Sequence, residues 1–374
     1  MLLSHCYNRV ILRTERGMNM HMADALLAPA VAATMYAASA VTVGASVKTL
    51  KKDETSAKLP TMAVTSALVF AGQMINYTIP GTGSSGHLCG GMLLSALLGP
   101  QAGFLSMVVI LTIQCLFFAD GGLLALGANC WNMAFYGCFV GYYLLWRPMM
   151  RSRLFASLGA RAAGRTRIAL ASILGCVLTL QLGAFSVVLE TSASGITELP
   201  FAAFVGIMQP IHLAIGLVEG LITTAVLLFV YEARPELLMD MNREAADAQG
   251  RCSLKATLAV LTAVVVVVGG GLSLVASANP DGLEWSMFGN AEAGYSANMG
   301  LDEESYGISS PAAETLGAIQ EKTAFLPDYA FANSDSAAGT SVSGLVGSAI
   351  VAGAAILVCA AGGFFRKKKI AEKA

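Results

Sequence analysis

The chain has 374 residues, of which 55% are hydrophobic and only 13% are charged, whereas soluble globular domains carry about 25% charged residues. The formal net charge of −1 gives no electrostatic basis for a nucleic-acid partner. Apolar runs of about 20 residues recur, which is the length that an α-helix needs to cross a bilayer. Backbone polar groups in lipid must be satisfied internally, and these runs are too long and too uniform for barrel strands. The sequence therefore predicts an all-α polytopic membrane protein embedded in the lipid bilayer.

Residues 1–19 differ from the segments that follow. They mix basic and apolar residues and have no long apolar core, so they make a poor signal peptide. Met18, Met20 and Met22 each offer an alternative translation start. One interpretation is that residues 1–19 are not part of the mature protein.

Nine apolar segments follow and are interpreted as membrane spans. They cover residues 25–47, 60–79, 88–98, 102–119, 123–146, 168–189, 202–231, 256–276 and 345–364. The third has about 11 residues, which fits either a short tilted helix or a re-entrant one. A charged connector separates a seven-span unit from a two-span unit with a long outer loop. We therefore expect a membrane domain at 20–235, a cytoplasmic connector at 236–255 and a C-terminal domain at 256–374.

The first span carries a row of small residues, Ala33, Ala37, Ala40 and Gly44. Small residues let membrane helices approach one another closely. This row predicts that the span packs against another helix, either of this chain or of a partner subunit.

The charges in the loops predict the orientation of the chain. Lysine and arginine are concentrated in loops 48–58, 147–167 and 232–255 and in the C-terminal tail. The intervening loops, including 278–342 with its ten acidic residues and one lysine, are neutral or acidic. Because basic loops remain in the cytoplasm, we expect a plasma-membrane protein with its N-terminus outside and its C-terminus in the cytoplasm.

Two of the four histidines, His21 and His87, each lie at the edge of an apolar segment. If translation starts at Met20, the α-amine, the backbone nitrogen of His21 and the His21 Nδ1 can close two fused chelate rings on one metal ion. A nitrogen of His87 would complete a plane of four nitrogens, which suits Ni²⁺ and Cu²⁺. The alternative is that His21 is an interfacial polar residue and His87 caps a helix. Spacing alone favours this alternative.

Five blocks of sequence resemble one known family in the family's order. They are MHMADALLAPAV, QMINYTIPGTGSSGHL, FFADGGLLALGAN, QLGAFSVVLET and QPIHLAIGLVEGLIT, which fall within residues 20–235. They are similar to the cobalt/nickel substrate-capture component of energy-coupling-factor transporters, the CbiM/NikM family. The tail resembles the small CbiN/NikN partner, through the PDGLE signature at Pro280–Glu284 and the sequence LPDY at Leu326–Tyr329.

The resemblance implies a transporter component that captures Co²⁺ or Ni²⁺ as its transported substrate. It implies metal binding by Met20, His21 and His87, which favours this function over the structural alternative for the two histidines. The implied partners are a membrane coupling subunit and cytoplasmic ATPase subunits. Because the family's site needs a free amine at Met20, we interpret residues 1–19 as a misassigned start, although removal of the extension or an impaired site would also fit.

Other polar residues lie near these histidines or inside the spans. Residues that either orient His87 or merely pack are Gln73, Asn76, Ser84 and Ser85. His212 and Glu219 lie seven residues apart on one helix face. Ionisable residues within membranes are functional candidates, but structural pairing is the favoured explanation of these two. Asp281 and Glu284 either collect cations in the outer loop or cap a turn.

Two further functions were weighed. Gly83–Gly86 fits the G-x-S-G pattern of rhomboid-type intramembrane serine proteases, with Ser85 as nucleophile and His212 as base. The other is a membrane metal sensor that transports nothing. The sequence has neither H-E-x-x-H nor a phosphate-binding G-x-x-x-x-G-K-[ST] loop. We therefore expect a transporter component that is not itself an enzyme.

The charge pattern makes a testable prediction about orientation. A single cysteine in loop 278–342 of a variant without the native cysteines should react with a membrane-impermeant reagent in intact cells, since this loop faces outside. A cysteine in loop 147–167 is the matched control and should react only after the cells are opened. The opposite labelling pattern would mean that the orientation is inverted.

Overall fold

The computed structural model describes residues 21–50, 52–195, 200–241, 252–291, 293–296, 307–331 and 336–371. Residues 1–20, and with them Met20, lie outside this part of the chain. The α-helices are α1 Pro29–Thr49, α2 Lys52–Gln73, α3 Gly91–Leu98, α4 Pro100–Phe118, α5 126–151, α6 Ala160–Ala193, α7 Phe201–Ala233, α8 Leu254–Gly270, α9 Gly282–Phe288, α10 Pro311–Thr323 and α11 Ala338–Ala371. Helix α5 is continuous, with π-helical winding over Cys130–Val140 and Tyr142–Trp146.

Shorter elements connect these helices. Single turns of 3₁₀-helix are Asp24–Leu26, Ala156–Leu158, Pro235–Leu237, Leu272–Val275 and Pro327–Tyr329. Two antiparallel hairpins pair β1 Tyr77–Ile79 with β2 Ser84–Gly86, and β3 Gly289–Asn290 with β4 Tyr295–Ser296. The predicted all-α membrane fold is therefore confirmed, with the strands confined to two small hairpins.

Six helices in the described ranges are long and apolar enough to cross a membrane: α1, α4, α6, α7, α11 and α8 with the turn after it. The other three predicted spans correspond to α2, α3 and α5. Helix α2 ends at Gln73, so the predicted second span at 60–79 extended too far, because residues 77–79 form β1. Helix α7 continues through Pro210.

Helix α3 forms the third apolar segment, which was predicted to be either a short tilted helix or a re-entrant one. Its eight residues are about 12 Å long at 1.5 Å per residue, whereas the hydrocarbon core is about 30 Å thick. The helix alone is therefore too short to span the membrane, and irregular chain leads down to α3. Leu98 and Gly99 nevertheless reach the end of the bundle where Leu50 and Lys58 lie, since all four line one cleft.

The core lies between the helices of the first unit. A large apolar cluster joins α2, α3, α4 and α5, and it includes the buried side chains of Phe70, Phe104 and Phe118. A second cluster at the other end brings Met22 and Leu26, before α1, against Phe204 of α7. The long helices α6 and α7 run against each other, and α6 also packs on α5. The second cluster draws the segment that carries His21 into the bundle.

The two C-terminal spans dock on the first unit. Helices α8 and α11 pack on α2, and α11 also contacts α4. The two helices meet at Gly269 and Gly344, where a Cβ added to Gly344 would lie 2.2 Å from the Gly269 carbonyl oxygen. This close approach is what small residues permit in membrane helix pairs. The predicted outer loop 278–342 includes α9, the β3–β4 hairpin and α10.

Candidate metal centre

The backbone around His21 is held by the start of α5 and the turn before it. Met22 donates its N–H to Asn129 Oδ1 at 3.1 Å, and Asn129 Nδ2 donates back to the Met22 carbonyl at 3.2 Å. Gly122 N–H donates to the same carbonyl at 3.0 Å. Gly121 has φ +76°, and a Cβ there would lie 2.7 Å from His21 Cβ. A glycine at this position lets the two chain segments touch.

The His21 imidazole faces a buried carboxylate. Its Nδ1 lies 2.9 Å from Asp120 Oδ1, and both side chains are almost fully buried. Burial raises the pKa of the Asp120 carboxyl. The electrostatic interaction with His21 and the hydrogen bonds from His21 and Tyr329 lower it by more, so the pKa lies below its ordinary value. His21 Nε2 is buried and has no hydrogen-bond partner among the described atoms. The ring thus has one nitrogen held by Asp120 and one available to a ligand.

His87 meets His21, as the sequence predicts. The two ring centroids are 5.5 Å apart in an edge-to-face arrangement. His87 Nδ1 lies 3.2 Å from the Leu88 carbonyl oxygen and donates to it, because a carbonyl only accepts. The lone pair of His87 is therefore on Nε2. Two imidazoles from segments far apart in the chain converge on one point of the bundle.

Glu219 holds the irregular chain just after His87. Its two carboxylate oxygens accept the N–H groups of Cys89, at 3.0 Å, and Gly90, at 2.9 Å. Gln73 Nε2 donates to the Cys89 carbonyl at 2.9 Å. Irregular backbone at membrane depth needs such partners, because lipid supplies none. Glu219 and Gln73 therefore position His87 through the backbone that follows it.

The hairpin before His87 binds the C-terminal domain. Ser85 N–H donates to the Pro280 carbonyl at 2.8 Å, and Ser85 Oγ donates to the Asn279 carbonyl at 2.8 Å. Ser84 Oγ lies 3.4 Å from the Pro280 carbonyl oxygen, and the Asn76 carbonyl accepts Ser277 N–H at 2.7 Å. These residues were predicted either to orient His87 or merely to pack, and their bonds to segment 277–280 hold the hairpin that carries His87.

Asp281 caps α9 and also faces the histidines. Its Oδ1 accepts the N–H groups of Leu283, at 2.9 Å, and Glu284, at 2.8 Å. The capping role proposed for this residue is thus present, while Glu284 contributes its backbone N–H to the same cap. The Asp281 side chain lines the cavity together with His87 and His212.

His212 Nδ1 donates to the Met208 carbonyl at 2.8 Å, so His212 and Glu219 bind different backbone groups instead of each other.

His21, His87, His212 and Asp281 line one cavity with an empty volume of about 750 Å³, part of it open to solvent. Its wall is largely apolar and includes the thioethers of Met22, Met133 and Met208. Among the residues that the structure describes, no three or more His, Cys, Asp or Glu side chains form a metal-binding group. The described side chains thus offer two imidazoles to an ion, and further donors have to come from elsewhere.

Sequence reasoning missed Asp120 and Asn129 as members of this site. Both fall in the block FFADGGLLALGAN, where an aspartate and two glycines interrupt an apolar run. An acidic residue at that interruption is a signal that could have been used, because ionisable residues at the ends of apolar spans need partners. The partner itself, His21, lies too far away in the sequence to be inferred locally.

The serine-protease alternative does not fit the geometry. The Ser85 side chain is fully buried, and its hydroxyl donates to the carbonyl oxygens of Asn279 and Pro280. The proposed base, His212, donates its Nδ1 proton to Met208. A nucleophile and its base have to share a hydrogen bond, and these two side chains are directed to other groups.

Comparisons with known proteins give consistent matches. The family model described as the cobalt uptake substrate-specific transmembrane region, CbiM, matches residues 21–237, and that of the PDGLE domain matches residues 255–362. A protein of Archaeoglobus fulgidus, provisionally named a fused nickel transport protein NikMN, is 36% identical over 332 residues, 89% of this chain and 95% of that one. The fused nickel transport protein NikMN of Rhodobacter capsulatus is 31% identical, over 89% of this chain and 95% of that one. A crystal structure of a truncated transition metal transporter has 31% identity and a TM-score of 0.46, covering 57% of this chain and 99% of that chain.

The position of Glu219 predicts the effect of a minimal substitution. Glu219→Gln leaves one carbonyl oxygen and turns an NH₂ group toward a backbone N–H, so one donor of the Cys89–Gly90 pair loses its acceptor. An unsatisfied buried donor costs about 1–3 kcal/mol. We expect a lower unfolding temperature in detergent and weaker metal binding through displacement of His87.

Glu190→Gln is the matched control. Glu190 is also buried, but it accepts one hydrogen bond, at 2.9 Å from Asn132 Nδ2, which the glutamine carbonyl can keep. Equal effects of the two substitutions on metal binding would contradict the role given to Glu219.

Proposed function

Since the chain belongs to the CbiM family of cobalt uptake substrate-specific transmembrane regions and carries a PDGLE domain behind it, we propose that it is the substrate-binding component of an energy-coupling-factor importer for cobalt or nickel ions. It is a multi-pass membrane protein and a transporter component, not an enzyme. The observation that carries the proposal is the pair of imidazoles, His21 and His87, with ring centroids 5.5 Å apart at the wall of a cavity.

The chemistry of the donors suits these ions. Imidazole nitrogen is a preferred ligand of nickel and its neighbours among the divalent metals. A carboxylate on the second nitrogen of a ligating imidazole fixes its orientation and raises its basicity, and Asp120 is the carboxylate that faces the His21 ring. The thioethers around the cavity are weak donors, so they compete little with the imidazoles for the ion. The cavity is thus selective for a metal that prefers nitrogen.

The remaining donors are proposed to be nitrogens at Met20, in a protein whose working N-terminus is Met20. The α-amine of Met20 and the backbone nitrogen of His21 would join the two imidazoles around the ion. Chelation through His21 Nδ1 requires the ring to turn away from its present contact, because Nδ1 now faces Asp120. Nε2 of the same ring cannot reach an ion that the backbone nitrogen of His21 binds, so the proposed chelate uses Nδ1.

Energy and coupling are proposed to come from partners. The sequence has no phosphate-binding loop, so cytoplasmic ATPase subunits would supply the energy and a membrane coupling subunit would transmit it. The small-residue row of α1, at Ala33, Ala37, Ala40 and Gly44, is exposed along its length. A Cβ added to Gly44 would meet nothing within 4 Å. This face is therefore open to a partner helix. The proposed orientation places the N-terminus outside and the C-terminus in the cytoplasm.

Metal analysis of the purified protein tests the proposed site. A chain that starts at Met20 should bind about one Ni²⁺ or Co²⁺ ion, whereas the uncleaved 374-residue chain should bind much more weakly, because its Met20 nitrogen is an amide. Loss of an outer-shell partner lowers metal affinity roughly 10–100-fold. His21→Ala and His87→Ala each remove a proposed ligand, so each should lower the affinity by more than that. Ser85→Ala is the control and should bind nearly normally, since Ser85 N–H still donates to Pro280.

Two results would count against this site. Normal binding by both histidine variants would place the metal elsewhere. Equally tight binding by the uncleaved long chain would remove the α-amine of Met20 from the ligand set while leaving the two imidazoles in place.

The exposed face of α1 gives a second prediction. Ala37→Leu should leave metal binding by the purified protein unchanged but reduce cobalt or nickel uptake by the assembled transporter several-fold, because the larger side chain blocks close helix approach. Ala45→Leu makes the same change on an exposed position of α1 away from this row and should transport normally. Wild-type uptake by the Ala37 variant would exclude the proposed contact between α1 and a partner helix. Metal binding without uptake in every variant would instead point to a sensor.

A further inference from the structure

The cap of α9 leaves half of a buried carboxylate unexplained. Both hydrogen bonds of the cap, from the N–H groups of Leu283 and Glu284, end on Oδ1 of Asp281, and none from the described part of the chain reaches Oδ2. The residue is only 7% exposed, yet its side chain lines the cavity together with His87. An asparagine would cap the helix equally well. The cap therefore accounts for one oxygen of Asp281 but not for its charge.

His212 places a third imidazole on the wall of this cavity. Its Nδ1 donates to the Met208 carbonyl of the same helix, α7, so the lone pair of the ring is on Nε2. A Cβ added to Gly282 would lie 3.4 Å from this nitrogen, which places Nε2 against the residue that follows Asp281. The hydrogen bond to Met208 uses only Nδ1 and leaves Nε2 to be explained.

One side chain of α7 brings the chain around His87 to the start of α9. Ile215 lies about one turn after His212 on α7, and it packs against two glycines. A Cβ added to Gly86 would lie 2.6 Å from Ile215 Cγ1, and one added to Gly282 would lie 2.9 Å from Ile215 Cδ1. The segment that carries His87 and the cap of α9 therefore meet on the same turn of α7 as His212.

The two unexplained donors suit a divalent ion that still carries water. Carboxylate oxygen and imidazole nitrogen both bind ions of this class. Among the residues that the structure describes, no three His, Cys, Asp or Glu side chains form a metal-binding group, so an ion at Asp281 and His212 keeps water as its remaining ligands. Such a site holds an ion weakly and releases it readily. Asp281 belongs to the loop 278–342, which in the proposed orientation faces the side from which an imported ion arrives.

We propose that Asp281 and His212 form a separate, weak site for a hydrated Ni²⁺ or Co²⁺ ion, which holds the ion as it enters the cavity and before it reaches His21 and His87. The carboxylate of Asp281 attracts the ion, and His212 replaces one water with a nitrogen of the kind that the ion meets next. The site speeds loading without belonging to the final set of ligands. This inference rests on the proposed function, since it requires His21 and His87 to hold the ion afterwards.

Two conservative substitutions remove the proposed donors and keep the observed hydrogen bonds. Asp281→Asn keeps an oxygen for the cap of α9, and His212→Asn keeps an N–H donor for the Met208 carbonyl. In a chain that starts at Met20, stopped-flow absorption of bound Ni²⁺ should show loading slowed roughly ten-fold in Asp281→Asn and several-fold in His212→Asn. Release should slow by a similar factor, so the equilibrium affinity should change far less than the loading rate.

Glu284→Gln is the matched control. It removes the same charge from the same short helix, but Glu284 is not among the described residues that line the cavity, so loading should keep its wild-type rate. Equal slowing in Glu284→Gln and Asp281→Asn would show a general attraction by the acidic loop and would overturn the inference. Loading rates that neither donor substitution changes would do the same, as would a loss of affinity as large as the loss of rate.

A second measurement detects the weak site directly. In His21→Ala, which lacks a proposed ligand of the final site, Co²⁺ should still bind weakly with the faint visible absorption of a six-coordinate ion, and adding Asp281→Asn should abolish this binding. No weak binding, or weak binding that the second substitution leaves unchanged, would overturn the inference while the proposed function stands. Tight binding by His21→Ala, or a wild-type chain from Met20 that binds no metal, would overturn the proposed site and this inference together.

Discussion

The structure depends on a buried contact between a carboxylate and an imidazole, Asp120 and His21. A buried charge without partners would cost several kcal/mol, so Asp120 is tolerated because each of its oxygens has a partner. The contact also constrains the backbone. The chain before α1 must enter the bundle, and the chain after α4 must leave its helix at Asp120. Asn129 and Gly121 meet both demands, the first by binding Met22 through two hydrogen bonds and the second by leaving room for His21.

A second polar group is needed for the other histidine. His87 lies on irregular chain that leads into the short helix α3, and the N–H groups of such chain have no water to bind at membrane depth. Glu219 supplies the acceptors for Cys89 and Gly90. This explains an acidic residue in the middle of an apolar helix, which otherwise would be costly. Glu219 thus holds the chain that follows His87 by binding its backbone.

The spans could be predicted from the sequence for physical reasons, whereas the pairing of His21 with His87 was predicted from the family resemblance. Lipid demands long apolar helices, so composition marks them, and His21 and His87 stand out because the chain has only four histidines. The end of α2 was misplaced because Tyr77–Ile79 is as apolar as a helix would be, yet pairs with Ser84–Gly86. The sequence LPDY that contains Tyr329 was matched as a motif, but the contact that Tyr329 makes could not be predicted. Its partner Asp120 is 209 residues away, and no local pattern encodes such a contact.

The two domains are coupled at both histidines. Segment 277–281 binds the hairpin that carries His87, and Tyr329 binds the carboxylate that holds His21. Each contact is small, and on separate chains each would have to offset the entropy of association. Joining the domains in one chain makes docking intramolecular and raises the effective concentration of the C-terminal contacts. The position of each imidazole therefore depends on a domain that contributes neither of them, and loosening that domain would loosen both imidazoles at once.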